Sequence, residues 1–227
     1  MANLNTPPLK PFIVGLGGSL RPNSATEKAV RLTLQAAQQT GAETLFIGGP
    51  ELELPMYDYG KAGGLPAAQH LIAQLRRADG VILASPGYHG SMSGLMKNAV
   101  DYIEEMSKDP SPYLHGRAVG CIATAGGWQG GATTLAAMRD VVHALRGWPT
   151  PLGVVINTAE PAFDEEDNCT NPRTHDQLIC LGQQVAELAW SRNRARADAA
   201  ILKFPDPTQQ LLAVWLTYPF DEEREPQ

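Results

Sequence analysis

Cysteine is scarce: Cys121, Cys169 and Cys180 are the only three in 227 residues, with no Cys-x-x-Cys spacing. An odd, scattered set forms neither a disulfide framework nor a zinc site. Reduced thiols of this kind suit a cytoplasmic protein. Positive charge is also short, with 18 lysines and arginines against 24 aspartates and glutamates and a formal net charge of −6. A nucleic-acid partner requires a basic face, so none is expected. No apolar run approaches the roughly 18 residues of a membrane span. No basic amino-terminal stretch leads into a long apolar one, so neither a membrane partner nor a signal peptide is expected. Paired carboxylates, a Ser/His/Asp set and HExxH are all missing, which removes the commonest hydrolytic sites. What remains is ordinary globular material, 43% hydrophobic and 19% charged, enough for one domain with trimmings.

Near the amino terminus, the apolar strand Phe12–Gly17 runs into Gly18-Ser19-Leu20-Arg21-Pro22-Asn23-Ser24-Ala25-Thr26-Glu27 and then a helical pattern. This order gathers backbone N–H groups, the hydroxyls of Ser19, Ser24 and Thr26 and the Arg21 guanidinium at a helix amino terminus. That is how chains bind phosphate. It is not the dinucleotide fingerprint, since position 20 is Leu rather than a third glycine, and no Gly-Lys-Ser/Thr follows. A single terminal phosphate monoester suits it best. Ser24 and Glu27 also have capping-box spacing, so Ser24 has a second, purely structural use.

Further short apolar runs at 44–47, 80–85, 118–124 and 152–156 bring the expected strands to five. They are almost continuously apolar, as strands covered on both faces are. Helical faces alternate with them: Val30, Leu34 and Ala37; Leu71 and Leu75; Leu95, Ala99, Ile103 and Met106; Leu135, Met138, Val142 and Leu145; Leu178, Leu181, Val185 and Leu188. Asn171 and Pro172 mark the start of the last helix. Strands alternating with helices predict an α/β fold with a doubly wound parallel sheet. Residues 48–66 make a long connection, either functional or a surface loop. The acidic stretch 158–171 reads as a solvated loop. Beyond residue 198 the chain continues past the expected core, with Trp215, Tyr218 and Phe220 ahead of an acidic end.

Two more loops complete a pattern. After the third strand comes Pro86-Gly87-Tyr88-His89-Gly90-Ser91-Met92-Ser93-Gly94-Leu95-Met96-Lys97-Asn98-Ala99-Val100-Asp101, and after the fourth Ala125-Gly126-Gly127-Trp128-Gln129-Gly130-Gly131. Together with Gly18-Ser19-Leu20-Arg21-x-x-Ser24, these resemble the NADPH-dependent FMN reductases. The family's first loop reads Gly-Ser-Leu-Arg-x-x-Ser-x-Asn, and its second roughly Pro-Glu-Tyr-Asn-x-Ser-x-Pro-Gly-x-Leu-Lys-Asn-Ala-x-Asp. The likeness runs over residues 12–157. Departures are Thr26 for Asn, Gly87 for Glu and His89 for Asn.

The resemblance implies a flavodoxin-like doubly wound five-stranded parallel sheet with helices on both faces, in strand order 2-1-3-4-5. Its ligand lies at the carboxyl ends of strands one and three. Residues 1–198 would be the FMN-binding domain and 199–227 an extension packed on the core or on a neighbouring subunit. The implied FMN contacts are Ser19, Arg21, Ser24 and Thr26 for the phosphate. Pro86, Gly87, Tyr88, His89, Gly90 and Ser91, with Ala125, Gly126, Gly127 and Trp128, would meet the ring. Tyr88 and Trp128 either pack on the flavin or finish the core. Lys97, Asn98 and Asp101 either face a neighbouring subunit, flank the site or form an exposed helix face. No side chain is expected to act as catalyst, His89 being the remote candidate, because hydride transfer needs two aligned rings more than an acid or base. NADPH or NADH would be co-substrate and a small molecule the acceptor. A homodimer or homotetramer is expected, from the broad apolar stripe at 95, 96, 99, 100, 103 and 106 and from the tail. An electron carrier of the flavodoxin type and a flavin-binding module without turnover are the alternatives.

Overall fold

The computed structural model of the chain describes residues 9–59 and 64–202. Strand β1 (Phe12–Gly17) is buried along its whole length and pairs in parallel with β2 (Glu43–Gly48) on one side and β3 (Gly80–Tyr88) on the other. Beyond β3 lies β5 (Ala118–Ala125), again parallel. Along these strands successive side chains point to opposite faces, and two separate cores result. Phe12, Val14, Leu16, Val81, Leu83, Val119 and Cys121 meet α2 (Pro66–Arg77), α3 (Gly94–Asp101) with its 3-10 continuation Tyr102–Met106, and α4 (Trp128–Ala144). Ile13, Ile82, Ala84 and Ile122 meet α1 (Ala25–Gln39) and α5 (Pro172–Leu202). Burial pushes the Cys121 thiol up to about 12, so this cysteine is an inert core residue.

The five expected strands are present in the order 2-1-3-4-5, but among the described residues the sheet has seven. The fifth is broken. Its first piece, β6 (Trp148–Pro149), pairs with Ala118 and Val119, and its second, β7 (Val154–Asn157), pairs with the stretch from Ile122 to Ala125. Pro149 and Pro151 have no N–H for a ladder. Between them the Thr150 N–H donates to Val119 O at 3.0 Å and its hydroxyl to Leu152 O at 2.7 Å. The other addition is β4 (Ser91–Met92), which turns back antiparallel on the end of β3. His89 and Gly90 join the two, both at positive φ (53° and 82°), as a two-residue hairpin turn of primed type demands.

α1 and α5 pack side by side under the sheet, and Gly182 sits where any Cβ would run into the Thr33 carbonyl. Helix α5 continues unbroken through 198 and 199, where the extension was expected to begin, as far as Leu202, the last described residue. The tail residues Leu211, Leu212, Val214, Trp215, Leu216, Tyr218 and Phe220 lie outside the described residues.

Most of the broad stripe on α3 and its continuation needs no second subunit to bury it, Leu95 alone being partly exposed. Met96, Ala99, Val100, Ile103 and Met106 are all covered within this chain. Nor is the first part of the 48–66 connection, residues 48–57, a loose surface loop. It forms a 3-10 turn, Gly49–Leu52, and is then pinned to α3 by Asn98. The Asn98 amide donates to Leu54 O and Pro55 O, both at 3.0 Å, and its oxygen accepts from Tyr57 N at 2.8 Å. Asn98 is 5% exposed, so it faces neither solvent nor a neighbouring subunit. Lys97 and Asp101, one helical turn apart, form an exposed ion pair.

Candidate active site

The carboxyl ends of β1, β3, β5 and β7 open into one cavity of about 360 Å³. Such ends, where the strand order reverses, are where ligands bind in doubly wound sheets. Ser24 caps α1, accepting from Glu27 N at 3.2 Å. Glu27 turns the other way and pairs with Arg31 at 2.8 Å, so only half of the expected capping box forms. The Lys28 N–H bonds to Ser24 O, which leaves the first-turn N–H groups of Ala25 and Thr26 without an intrahelical acceptor. They add to the positive end of the helix. The Ser19 hydroxyl accepts from Arg21 N at 3.2 Å, holding the loop in a tight bend. The Arg21 guanidinium is exposed and makes no hydrogen bond or ion pair to a described residue. Thr26 is buried at 2% exposure, its hydroxyl 2.7 Å from that of Thr124. That bond ties the start of α1 to the end of β5.

The loop after β3 enters the cavity only with Pro86, Gly87 and Tyr88. His89, Gly90 and Ser91 belong to the hairpin turn and do not line it. Asn, Asp and His are the side chains that best tolerate positive φ, so His89 stands in for the family's Asn as a turn residue. From the loop after β5, Ala125 and Gly126 line the cavity, while Gly127 caps α4 and Trp128 opens it. A Cβ at Gly126 or Gly127 would meet nothing within 4 Å, which leaves space beside the backbone for a flat ring. Tyr88 and Trp128 are 57% and 64% exposed, so neither completes the core.

Besides Asn23, Ala25 and Thr124, which adjoin expected site residues, two parts of the wall were not expected from the sequence. One is Lys28, a turn into α1. The other is the start of the acidic stretch, where Thr158, Glu160, Pro161, Ala162 and Phe163 line the cavity. Residues 158–171 are therefore not a merely solvated loop. Their position immediately after a strand was the available signal, since every such loop borders the crevice. Asp164 accepts from Asn168 N and Nδ2 at 2.7 and 3.1 Å. These bonds, the backbone one foremost, hold its carboxyl below the usual range.

Helix-terminal N–H groups, two hydroxyls and a guanidinium with no partner among the described residues, all at one end of the cavity, fit a phosphate. Open glycine backbone and exposed aromatics at the other fit a planar ring. A family model described as NADPH-dependent FMN reductase matches residues 11–161. The chain belongs to the NADPH-dependent FMN reductase family. The reductase is 30% identical over 183 residues to a quinone reductase of Escherichia coli (strain K12), covering 76% of this chain and 94% of that one. It is 32% identical over 125 residues to an NADPH azoreductase of Bacillus sp. (strain OY1-2), covering 55% and 67%. Among solved structures, an NADH:FMN oxidoreductase superposes with a TM-score of 0.61 over 80% of this chain and 90% of that one, at 19% identity. That likeness concerns the fold, which is flavodoxin-like as the strand order implied. The chain is an enzyme, an FMN-dependent NAD(P)H oxidoreductase.

Proposed function

We propose that the cavity at the carboxyl edge holds FMN, with its phosphate on the loop of Ser19, Arg21 and Ser24 and the N-terminus of α1. The observation that carries this assignment is the Arg21 guanidinium, without a partner among the described residues, beside first-turn N–H groups that have no intrahelical acceptor. Pro86, Gly87 and Tyr88 on one side and Ala125 and Gly126 on the other would bracket the ring. Bound FMN supplies the hydride acceptor and donor. The protein orients it, leaves one face open to NAD(P)H, and offers backbone N–H groups to the ring edge where negative charge grows on reduction. Thr26, bonded to Thr124, braces this site rather than contacting the phosphate. His89, off the cavity, takes no part in proton transfer.

The open site favours a small, flat acceptor, in keeping with relatives named as quinone reductase and azoreductase. Among the described residues no helix is long and apolar enough to cross a membrane. A cytoplasmic location and a homodimer or homotetramer complete the proposal. The groove between α3 and α4, where Tyr57, Val141, Ala144 and Leu145 stand beside the charged Lys97, Asp101 and Glu104, is the surface on which copies would meet.

Titration of the full chain with FMN and riboflavin tests the assignment. Arg21→Ala should weaken FMN roughly ten- to a hundredfold, from the ~1.5–3 kcal/mol of a charged hydrogen bond, and leave riboflavin nearly unchanged. Equal losses for both flavins would move the phosphate elsewhere.

A further inference from the structure

The acidic stretch closes on itself. Phe163 and Cys169 form an antiparallel bridge, Thr170 N donates to Ala162 O at 3.0 Å, and the Thr170 hydroxyl donates to Pro161 O at 2.8 Å. Its inner side lines the cavity with Glu160, Pro161, Ala162 and Phe163, of which Phe163 is buried in the α1/α5 core. Its turn carries Asp164, Glu165, Glu166 and Asp167 in unbroken succession. Four carboxylates repel one another and would repel a phosphate held nearby. One cation meets them. Lys28 Nζ lies 2.6 Å from Asp167 Oδ1 and donates to Asp164 O at 3.4 Å. The Lys28 side chain is only 17% exposed and borders the cavity itself.

We propose that Lys28, paired with Asp167, is a positioning residue that holds the 158–169 loop shut against α1 as a wall of the FMN cavity. The proposal rests on the FMN assignment above. Lys28 then acts through the loop and not on the phosphate. This distinction fixes the sign of a simple experiment. If Lys28 served the phosphate directly, Asp167 would compete for it, and removing Asp167 would tighten FMN binding. If the pair holds the wall, removing either partner weakens it.

Flavin binding by the full chain is measured with FMN and with riboflavin for Lys28→Ala, Asp167→Ala, the double variant and Lys28→Arg. Each alanine variant should weaken both flavins by roughly fivefold, the scale of a partly exposed ion pair. The double variant should be no worse than either single one, and Lys28→Arg should bind like the wild type. Tighter or unchanged FMN binding in Asp167→Ala overturns the proposal, as does a loss in Lys28→Ala confined to FMN. A fall in melting temperature with unchanged flavin affinity also overturns it, reducing the pair to a fold contact. Arg21→Ala, measured alongside, separates the two levels. If it weakens FMN while the pair variants do not, only the wall role fails. If it too has no effect, the cavity assignment fails.

Discussion

Replacing Ser93 with alanine should damage both the stability of the protein and its grip on FMN, although Ser93 is buried beneath the cavity. Its hydroxyl serves three partners. It donates to Gly18 O at 2.8 Å, accepts from Met96 N at 3.1 Å as the cap of α3, and lies 3.3 Å from the Ser85 hydroxyl. Ser85 and Ser93 are 0% and 3% exposed, so water cannot readily replace what is lost. Loss of an N-cap costs about 1 kcal/mol, and a buried carbonyl left without its donor about 1–3 kcal/mol. The expected total is about 2–4 kcal/mol, which in a chain of this size lowers the melting temperature by roughly 5–15 °C. Gly18 leads directly into the loop of Ser19 and Arg21, so FMN affinity should fall several-fold as well. Thermal unfolding of the flavin-free protein and fluorescence titration with FMN measure the two effects. A melting temperature within about 2 °C of wild type would show that the Ser93 bonds are unimportant, and the argument would be wrong.

Gly182→Ala drives a methyl into the Thr33 carbonyl and within 3.0 Å of the Ala36 Cβ, so urea unfolding should register a loss of about 1–3 kcal/mol; an unchanged midpoint would mean that α1 and α5 sit further apart. His89→Asn keeps a residue that tolerates positive φ, so turnover should change by less than about tenfold, and a hundredfold loss in steady-state NAD(P)H oxidation would restore His89 to the chemistry. His89→Val, whose branched side chain resists that φ, should lower the melting temperature measurably. The Tyr57 phenol is pushed up, first by burial and then by its hydrogen bond to Glu105 at 3.0 Å. Its stabilising contribution is therefore complete below the ordinary tyrosine value of about 10 and is lost as pH rises through the elevated one. Tyr57→Phe should flatten that alkaline limb of the stability profile, and an unchanged limb would place the titration elsewhere.

The main strands were readable because both faces of each are covered, which makes their sequences almost continuously apolar. β1 was bounded correctly at both ends for this reason. The start of α1 was readable from Ser24, whose capping role depends only on neighbours in sequence. Interactions between distant residues were not readable. Nothing adjacent to Asn98 in sequence announces that its amide holds backbone 41 to 44 residues away. Charge misled at 158–171, because four of its five acidic side chains mark the outer turn whereas the wall is built of Thr158, Glu160, Pro161, Ala162 and Phe163. Broken pieces such as β4 and β6, two residues each, are too short to carry any periodicity.

The interruption of the last strand bears on how copies of this chain can meet. A sheet margin with open N–H and C=O groups is a template on which another chain can grow, and long flat margins invite aggregation. Here the margin beyond β5 presents a two-residue piece, then Thr150 between Pro149 and Pro151 with its N–H and hydroxyl turned inward to Val119 O and Leu152 O, then only four residues of β7. An incoming strand finds no continuous ladder to extend. This margin is thereby guarded against strand-by-strand growth, and the continuous edge lies on the far side of the sheet, at the six-residue β2.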